Sequence, residues 1–176
     1  MNDEQELQQV LKRIESKYGS WEDPMFHFVK EALDSGEWDG LIERVRALAE
    51  TEDLTDPNTE ACRTLAVLKD GTHHATLQLS FVGPYGVFYR RKAGPLGDIF
   101  IVDDESTTGE LERTIVRLCK EGAVLLLGKE ILNIPLRLTL FDSAPERVRV
   151  YQALFTDSDY LPGEYEAESG DQPEKA

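Results

Sequence analysis

The chain has 176 residues, with 34 acids against 19 lysines and arginines and a formal net charge of −15. That length suits one domain whose core is large enough to need no staples. No run of 18 or more apolar residues and no basic-then-apolar leader is present, so neither a membrane span nor a secretory signal is expected.

The first predicted helix covers about residues 3–18, where Leu7, Val10, Leu11, Ile14 and Tyr18 form one stripe at helical spacing. Gly19 ends it. Asp23-Pro24 has the form of an N-cap followed by a first helical residue. Met25, Phe28, Val29, Ala32 and Leu33 then make a second stripe, closed at Gly36. A third stripe runs through Trp38, Leu41, Ile42, Val45, Leu48 and Ala49. Thr51–Glu60 has few apolar residues and reads as a solvated linker.

Ala61 to Asp103 reads as four consecutive antiparallel strands. Asp70-Gly71 separates the first two, and this dipeptide signals a hairpin because a type I′ turn needs positive φ at both central residues. In the second strand His73, Ala75, Leu77, Leu79 and Phe81 share one face. His74, Thr76, Gln78 and Ser80 share the other, predicting one buried side and one wet or lightly covered side. Gly83-Pro84-Tyr85-Gly86 breaks the run, Val87–Arg91 forms a third strand, and Asp98–Asp103 forms a fourth after the loop Lys92–Gly97.

Thr107-Thr108-Gly109-Glu110 resembles a capping box opening a helix with Leu111, Ile115, Leu118, Cys119 and Gly122 along one side. Val124–Leu127 is an apolar run too short to type, and Gly128–Ile134 reads as a helical turn ended by Pro135. Leu136–Phe141 and Arg147–Phe155 alternate and are expected to be late strands that widen the sheet. The fold class is therefore α+β: an antiparallel sheet of about five or six strands packed against amino-terminal helices and one later helix. Residues 1–161 form the domain, and from Pro162 the composition is that of a disordered acidic tail.

Charge is unevenly spread. Residues 1–60 hold sixteen acids and six bases, while residues 61–103 hold three acids and five bases. A negative field opposes nucleic acid and anionic lipid, both of which require cationic neutralisation. It favours a basic protein partner, whose association it can accelerate roughly 10–1000-fold; solubility alone is the competing explanation. Two cysteines, Cys62 and Cys119, are too few for a disulfide framework and suggest a reducing, cytoplasmic compartment, with their pairing left open.

Catalytic and metal constellations are not evident. His73 and His74 are adjacent and point to opposite faces of a strand, so they cannot chelate together, and His27 is the only other histidine. Ser80 and His74 share a face but lie roughly 20 Å apart by strand rise, too far for proton transfer. Asp103-Asp104-Glu105 and Asp157-Ser158-Asp159 could supply oxygens to a hard cation, but without EF-hand spacing. Arg90-Arg91-Lys92 beside Tyr85, Phe88 and Tyr89 is the one basic and aromatic patch, outweighed by the net charge. No glycine-rich phosphate loop or cofactor motif occurs. The candidate partner-binding residues are Trp21, Glu22, Asp23, Asp34, Glu37, Trp38, Asp39 and Glu43, because tryptophan flanked by carboxylates has the composition of an interface anchor with steering charges. Trp38 is also in phase with Leu41 and Ile42, so a place in the core competes with that role.

The runs LLLGKEILNIP at Leu125–Pro135 and RVRVYQALFTDSD at Arg147–Asp159 are similar in style to segments of bacterial immunity proteins that neutralise polymorphic or contact-dependent toxins. The resemblance covers about the last third of the chain. It implies a cytoplasmic, non-catalytic inhibitor that occludes a cognate toxin's active surface, and it assigns no functional residue. Two other classes stay open: an enzyme or small-ligand protein with a pocket on the sheet near His73, Tyr85 and Tyr89, and a regulatory subunit of a larger assembly.

Overall fold

The computed structural model describes residues 2–91, 99–102 and 109–158. Helix α1 (Asp3–Tyr18) follows its apolar stripe, with Val10, Ile14 and Tyr18 buried. Asn2 caps it through a bond from the Gln5 amide to Oδ1 at 2.9 Å, and Asp3, Glu4 and Glu6 sit in the first turn, where the helix dipole favours anions. Gly19, at φ 73°, closes it.

Helix α2 (His27–Ser35) starts later than Asp23-Pro24 suggested. Ser20 Oγ accepts the amides of Glu22 and Asp23, at 3.3 and 3.1 Å, so that stretch is a serine-closed turn; Met25 falls outside the helix and is exposed. The carboxyl end matches expectation. Gly36 is left-handed, its amide reaches Leu33 O at 3.1 Å and the Glu37 amide reaches Ala32 O at 3.0 Å, which is the Schellman pattern. Helix α3 spans Asp39–Arg46, and Leu48, beyond its end, is exposed.

Among the described residues six strands form the sheet, in the order β1-β2-β3-β4-β5 with β6 also on β4. β2 (Cys62–Lys69) and β3 (Thr72–Ser80) meet at Asp70 and Gly71, with φ of 53° and 72°, as the hairpin reading requires. β4 (Tyr85–Arg91) and β5 (Ile99–Ile101) continue the antiparallel meander. The supposed linker supplies an edge strand, β1 (Thr51–Asp53), pairing Thr51 with Val67. β6 (Leu125–Leu126) is parallel to β4, and the apolar run containing it thereby gains a type.

Helix α4 (Glu110–Glu121) buries Glu112, Ile115, Val116 and Cys119, a stripe offset from the expected one; Gly109 is its N-cap. Thr107 and Thr108 of the supposed capping box, the loop Lys92–Gly97, Asp103–Glu105, Asp159 and the acidic tail lie outside the described residues.

The expected late strands are not strands. Pro145–Arg147 is a 3-10 turn and Val150–Leu154 is a helix, α6, following the short α5 (Lys129–Leu132). The two segments meet in one bridge, Pro135 with Arg149, carried by Leu136 N to Val148 O at 3.0 Å and Val150 N to Ile134 O at 2.9 Å. Beyond it the backbone turns to its own bonds, including Phe155 N to Tyr151 O at 2.9 Å. The Arg149 amide is taken by Gln152 Oε1 at 2.9 Å, a local bond that starts the helical turn.

These elements close both sides of the sheet. Leu65, Val67, Ala75, Leu77, Leu79 and Phe88 pack with α3 and α4. The opposite side, through Cys62, Phe81, Tyr85 and Val87, packs with α1, α2, α5 and α6. Most of the row read as wet is therefore buried: Thr76, Gln78 and Ser80 are each less than a tenth exposed, as is Thr64 beside them on β2, while His74 is half-buried. Their polar atoms are satisfied internally. Ser80 Oγ donates to Leu154 O at 2.7 Å, Tyr151 OH to Gln78 Oε1 at 2.7 Å and Gln78 Nε2 to Thr64 Oγ1 at 3.3 Å, as burial without water demands.

Gly86 marks a close approach of backbone to core. A Cβ there would lie 3.0 Å from Val124 Cγ1, 3.1 Å from Leu126 Cδ2 and 3.2 Å from Gln78 O. The last is backbone and cannot swing aside. Gly86→Ala is expected to destabilise the fold by about 1–3 kcal/mol, read as a lowered urea midpoint at unchanged m-value.

Candidate functional site

The eight partner-binding candidates fall into two groups that no hydrogen bond or ion pair connects. Trp21, Glu22 and Asp23 lie in the α1–α2 connection; Asp34, Glu37, Trp38, Asp39 and Glu43 lie around the α2–α3 connection. In the second group Trp38 belongs to the core. It packs against both apolar clusters and donates Nε1–H to Ser80 O at 2.9 Å. That anchoring holds it at φ 75°, a left-handed conformation that costs a non-glycine residue roughly 1–2 kcal/mol.

The carboxylates of this group are largely engaged within the chain. Asp34 pairs with Lys30 one helical turn away, and Glu43 with Arg46 at 2.6 Å. Asp39 accepts from Arg63 at 2.8 Å, and the same guanidinium reaches Asp53 at 2.6 Å. Burial opposes the Asp53 charge, but hydrogen bonds from Thr55 and Arg63 outweigh it and hold this carboxyl below its usual range. Glu37 is half-buried and is pushed up by that burial. The exposed pairs, Asp34 with Lys30 and Glu43 with Arg46, contribute about 0–1 kcal/mol each, and all of these pairings reduce the charge this face offers to a partner.

The first group is different. Glu22 and Asp23 are exposed, and neither carboxylate makes an ion pair among the described residues. Trp21 is partly buried against the core, and its carbonyl accepts the Thr139 amide at 2.9 Å, tying this turn to the segment before Phe141. Phe141 is 83 % exposed, and its ring lies 5.0 Å from that of Phe26. Met25, the chain neighbour of Phe26, is 52 % exposed, and the exposed Glu22 and Asp23 stand in the same connection.

Beside Phe26 and Phe141 opens a cavity of about 100 Å³. Tyr18, Phe26 and Phe141 supply aromatic walls, and Glu60 and Asp157 are its two carboxylates. Asp157 is wholly engaged: its two oxygens accept the amides of Phe141, Asp142 and Ser143, at 2.8, 3.0 and 2.8 Å, and the Ser143 hydroxyl at 2.8 Å. The carboxylate proposed as a cation ligand thus holds a loop instead. Glu60 Oε2 accepts from Thr64 Oγ1 at 2.8 Å and from the Asp56 amide at 3.2 Å, while Oε1 has no hydrogen bond among the described residues. Burial pushes the Glu60 carboxyl up, and those bonds compensate only in part.

The histidines are arranged by a β-bulge. The pairing of β2 with β3 shifts between Val67 and Leu68, leaving His74 as the extra residue. His74 therefore turns to the α4 side, where Nε2 lies 2.6 Å from Glu112 Oε1, and Arg90 Nη1 lies 3.8 Å from the same oxygen. His73 bonds Thr76 Oγ1 at 2.9 Å instead. The facing deduced from strict alternation is reversed here, and His74 and Ser80 do not share a face. Tyr89 pairs across from Thr76, while Tyr85 is buried four residues away along β4, roughly 13 Å by strand rise. Phe88 is core and Arg90 faces Glu112, so neither is offered outward as part of the basic and aromatic patch read from the sequence; the side chains of Arg91 and Lys92 lie outside the described residues.

Cys62 and Cys119 are buried free thiols in separate clusters, and burial pushes Cys119 up to about 12. Among the described residues no group of three or more histidine, cysteine or acidic side chains could hold a metal ion, and no helix is long and apolar enough to cross a membrane. Comparison with protein-family models, with curated proteins and with solved structures finds no match. The cavity escaped the sequence reading because its parts are scattered from Tyr18 to Asp157; the only local trace was the tryptophan and acid pair at the first turn.

Proposed function

We propose that the protein is a non-catalytic binding protein that docks a basic protein partner, with inhibition of a toxin in the manner of immunity proteins as the specific form. The observation that carries the reading is that exposed Phe141, its ring against Phe26, is tied through Thr139 and Trp21 to the connection that carries exposed Met25, Glu22 and Asp23. Aromatic and methionine side chains are enriched at interfaces, and unpaired rim charges set encounter rates more than final affinity. The closed sheet supports the same reading, since helices cover both of its faces and leave loops and outer helix surfaces as contact area.

The test is capture from native lysate with the tagged protein, at low and at high salt, followed by association kinetics with the captured partner. Recovery of a basic protein at near-equal stoichiometry supports the proposal. Reversing Glu22 and Asp23 to lysine is expected to slow association about tenfold at low salt and less at high salt. The same reversal at Asp34, Asp39 and Glu43 is expected to do less, because Lys30, Arg63 and Arg46 already offset those charges. Unchanged rates in the Glu22 and Asp23 variant remove this surface as the docking site.

A further inference from the structure

We propose that the cavity between Tyr18, Phe26, Phe141 and Glu60 is an arginine pocket, receiving a guanidinium side chain presented by the protein partner. The inference rests on the basic-partner reading and adds the chemistry of the anchor. Three observations lead to it.

The first is charge. The cavity's lining holds two carboxylates and no lysine, arginine or histidine among the described residues. Asp157 spends both oxygens on the 141–143 loop, so Glu60 Oε1 is the acceptor left open.

The second is the support behind Glu60. Tyr151 OH donates to Gln78 Oε1, Gln78 Nε2 donates to Thr64 Oγ1, and Thr64 Oγ1 donates to Glu60 Oε2. Every donor in this buried chain is oriented toward the carboxylate, so the groups polarise one another in the sense that stabilises an anion at the cavity. Burial opposes that anion, and a cation seated beside it would relieve the cost.

The third is shape. A cavity of about 100 Å³ is far below the roughly 300–1,000 Å³ usual for free ligands and is of side-chain size. The rings of Phe26 and Phe141 are inclined at 34° to each other. A guanidinium suits such walls better than an ammonium, because it is planar, weakly hydrated and stacks on aromatic faces while its edge bonds a carboxylate. Phe141, which lines the cavity and is largely exposed, favours an arginine carried on a protein surface over the free amino acid.

The test is an NMR titration of the full chain with N-acetyl-arginine-methylamide, compared with its uncharged isostere N-acetyl-citrulline-methylamide and with free arginine. The expected result is saturable shifts of the Tyr18, Phe26 and Phe141 ring signals by the arginine amide, at millimolar concentration for so small a probe. Citrulline should bind about tenfold more weakly. Glu60→Gln should erase the difference between the two, and Phe141→Ala, at an exposed position that folding does not require, should weaken the arginine amide several-fold. Binding should also fade as pH falls through the raised Glu60 value, since protonation removes the acceptor.

Equal affinity for citrulline, unshifted ring signals, or full binding by Phe141→Ala overturns the proposal. Free arginine binding about tenfold tighter than the blocked amide would also overturn it, in favour of a small-molecule site. The titration needs no partner, so the two readings fail separately. Capture of no basic protein beside a positive titration sinks the partner, while a negative titration beside successful capture sinks the pocket.

Discussion

Replacing Phe155 with alanine is expected to cost about 3–5 kcal/mol, the usual loss for a fully buried aromatic side chain, and to be the most damaging of the substitutions considered. The ring is fully buried and lies 5.4 Å from that of Tyr151. The residue also joins the end of α6 to the start of β2 through its backbone: its amide reaches Tyr151 O at 2.9 Å and its carbonyl accepts the Ala61 amide at 2.8 Å. Loss of the ring would leave a void where α6 covers the polar side of the sheet and would loosen the helix that satisfies Ser80 and Gln78. Tyr151→Phe is the graded control, since it keeps the packing and strands one buried acceptor, for about 1–3 kcal/mol. Urea unfolding of the two variants separates the contributions. A Phe155→Ala loss below that of Tyr151→Phe would mean that α6 is not a closing element of the core.

The second large effect is expected at Glu112, the one buried acid on α4, at 4 % exposure. Burial alone would push its carboxyl up. The hydrogen bond from His74, its own amide, and the charges of His74 and Arg90 outweigh burial and hold it below the usual glutamate value of 4.5. Removing one member of a fully buried ion pair costs about 3–5 kcal/mol. Arg90 and His74 keep part of their surface in water, so Glu112→Ala is expected to cost about 2 kcal/mol by the same principle. The pH dependence has a definite sign. A carboxyl with a depressed folded value contributes stability that is fully present above its unfolded value and is lost as pH falls through the folded one. Wild type should therefore lose stability more steeply than the variant below pH 4.5. Denaturation midpoints from pH 7 to pH 3 check this. Parallel curves would mean that Glu112 titrates alike in the folded and unfolded states. Glu60 works in the opposite sense, because its raised carboxyl subtracts stability as pH climbs from the unfolded value toward the folded one.

Much of the architecture was legible in local sequence. The Asp70-Gly71 hairpin, the glycine ends of α1 and α2, the stripes of the amino-terminal helices and the four-strand order of the meander follow from φ requirements and from periods of 2 and 3.6. Three misreadings have separate physical causes. Val150–Leu154 is apolar at nearly every position and only five residues long, so neither period can be distinguished there, and the Gln152 bond to the Arg149 amide decides for a helix. Thr51–Asp53 looks like a solvated linker because an edge strand with one open side needs few apolar residues. The His74, Thr76, Gln78 and Ser80 row looks wet because its residues are polar, yet Gln78 and Ser80 seat α6 and His74 turns to α4.

The candidate site was legible at one end only. Trp21, Glu22 and Asp23 stood out by composition, and the same composition at Trp38, Asp39 and Glu43 turned out to be core anchoring and internal ion pairing. Sequence alone determined the fold class, the hairpin and the sign of the protein's field, because those depend on residue type and near-neighbour spacing. Tertiary structure alone decided which carboxylates remain unpaired, which way His74 turns and that Tyr18, Glu60, Phe141 and Asp157 share one cavity. Each of those depends on contacts between residues far apart in the chain, and no local pattern encodes the distance between them.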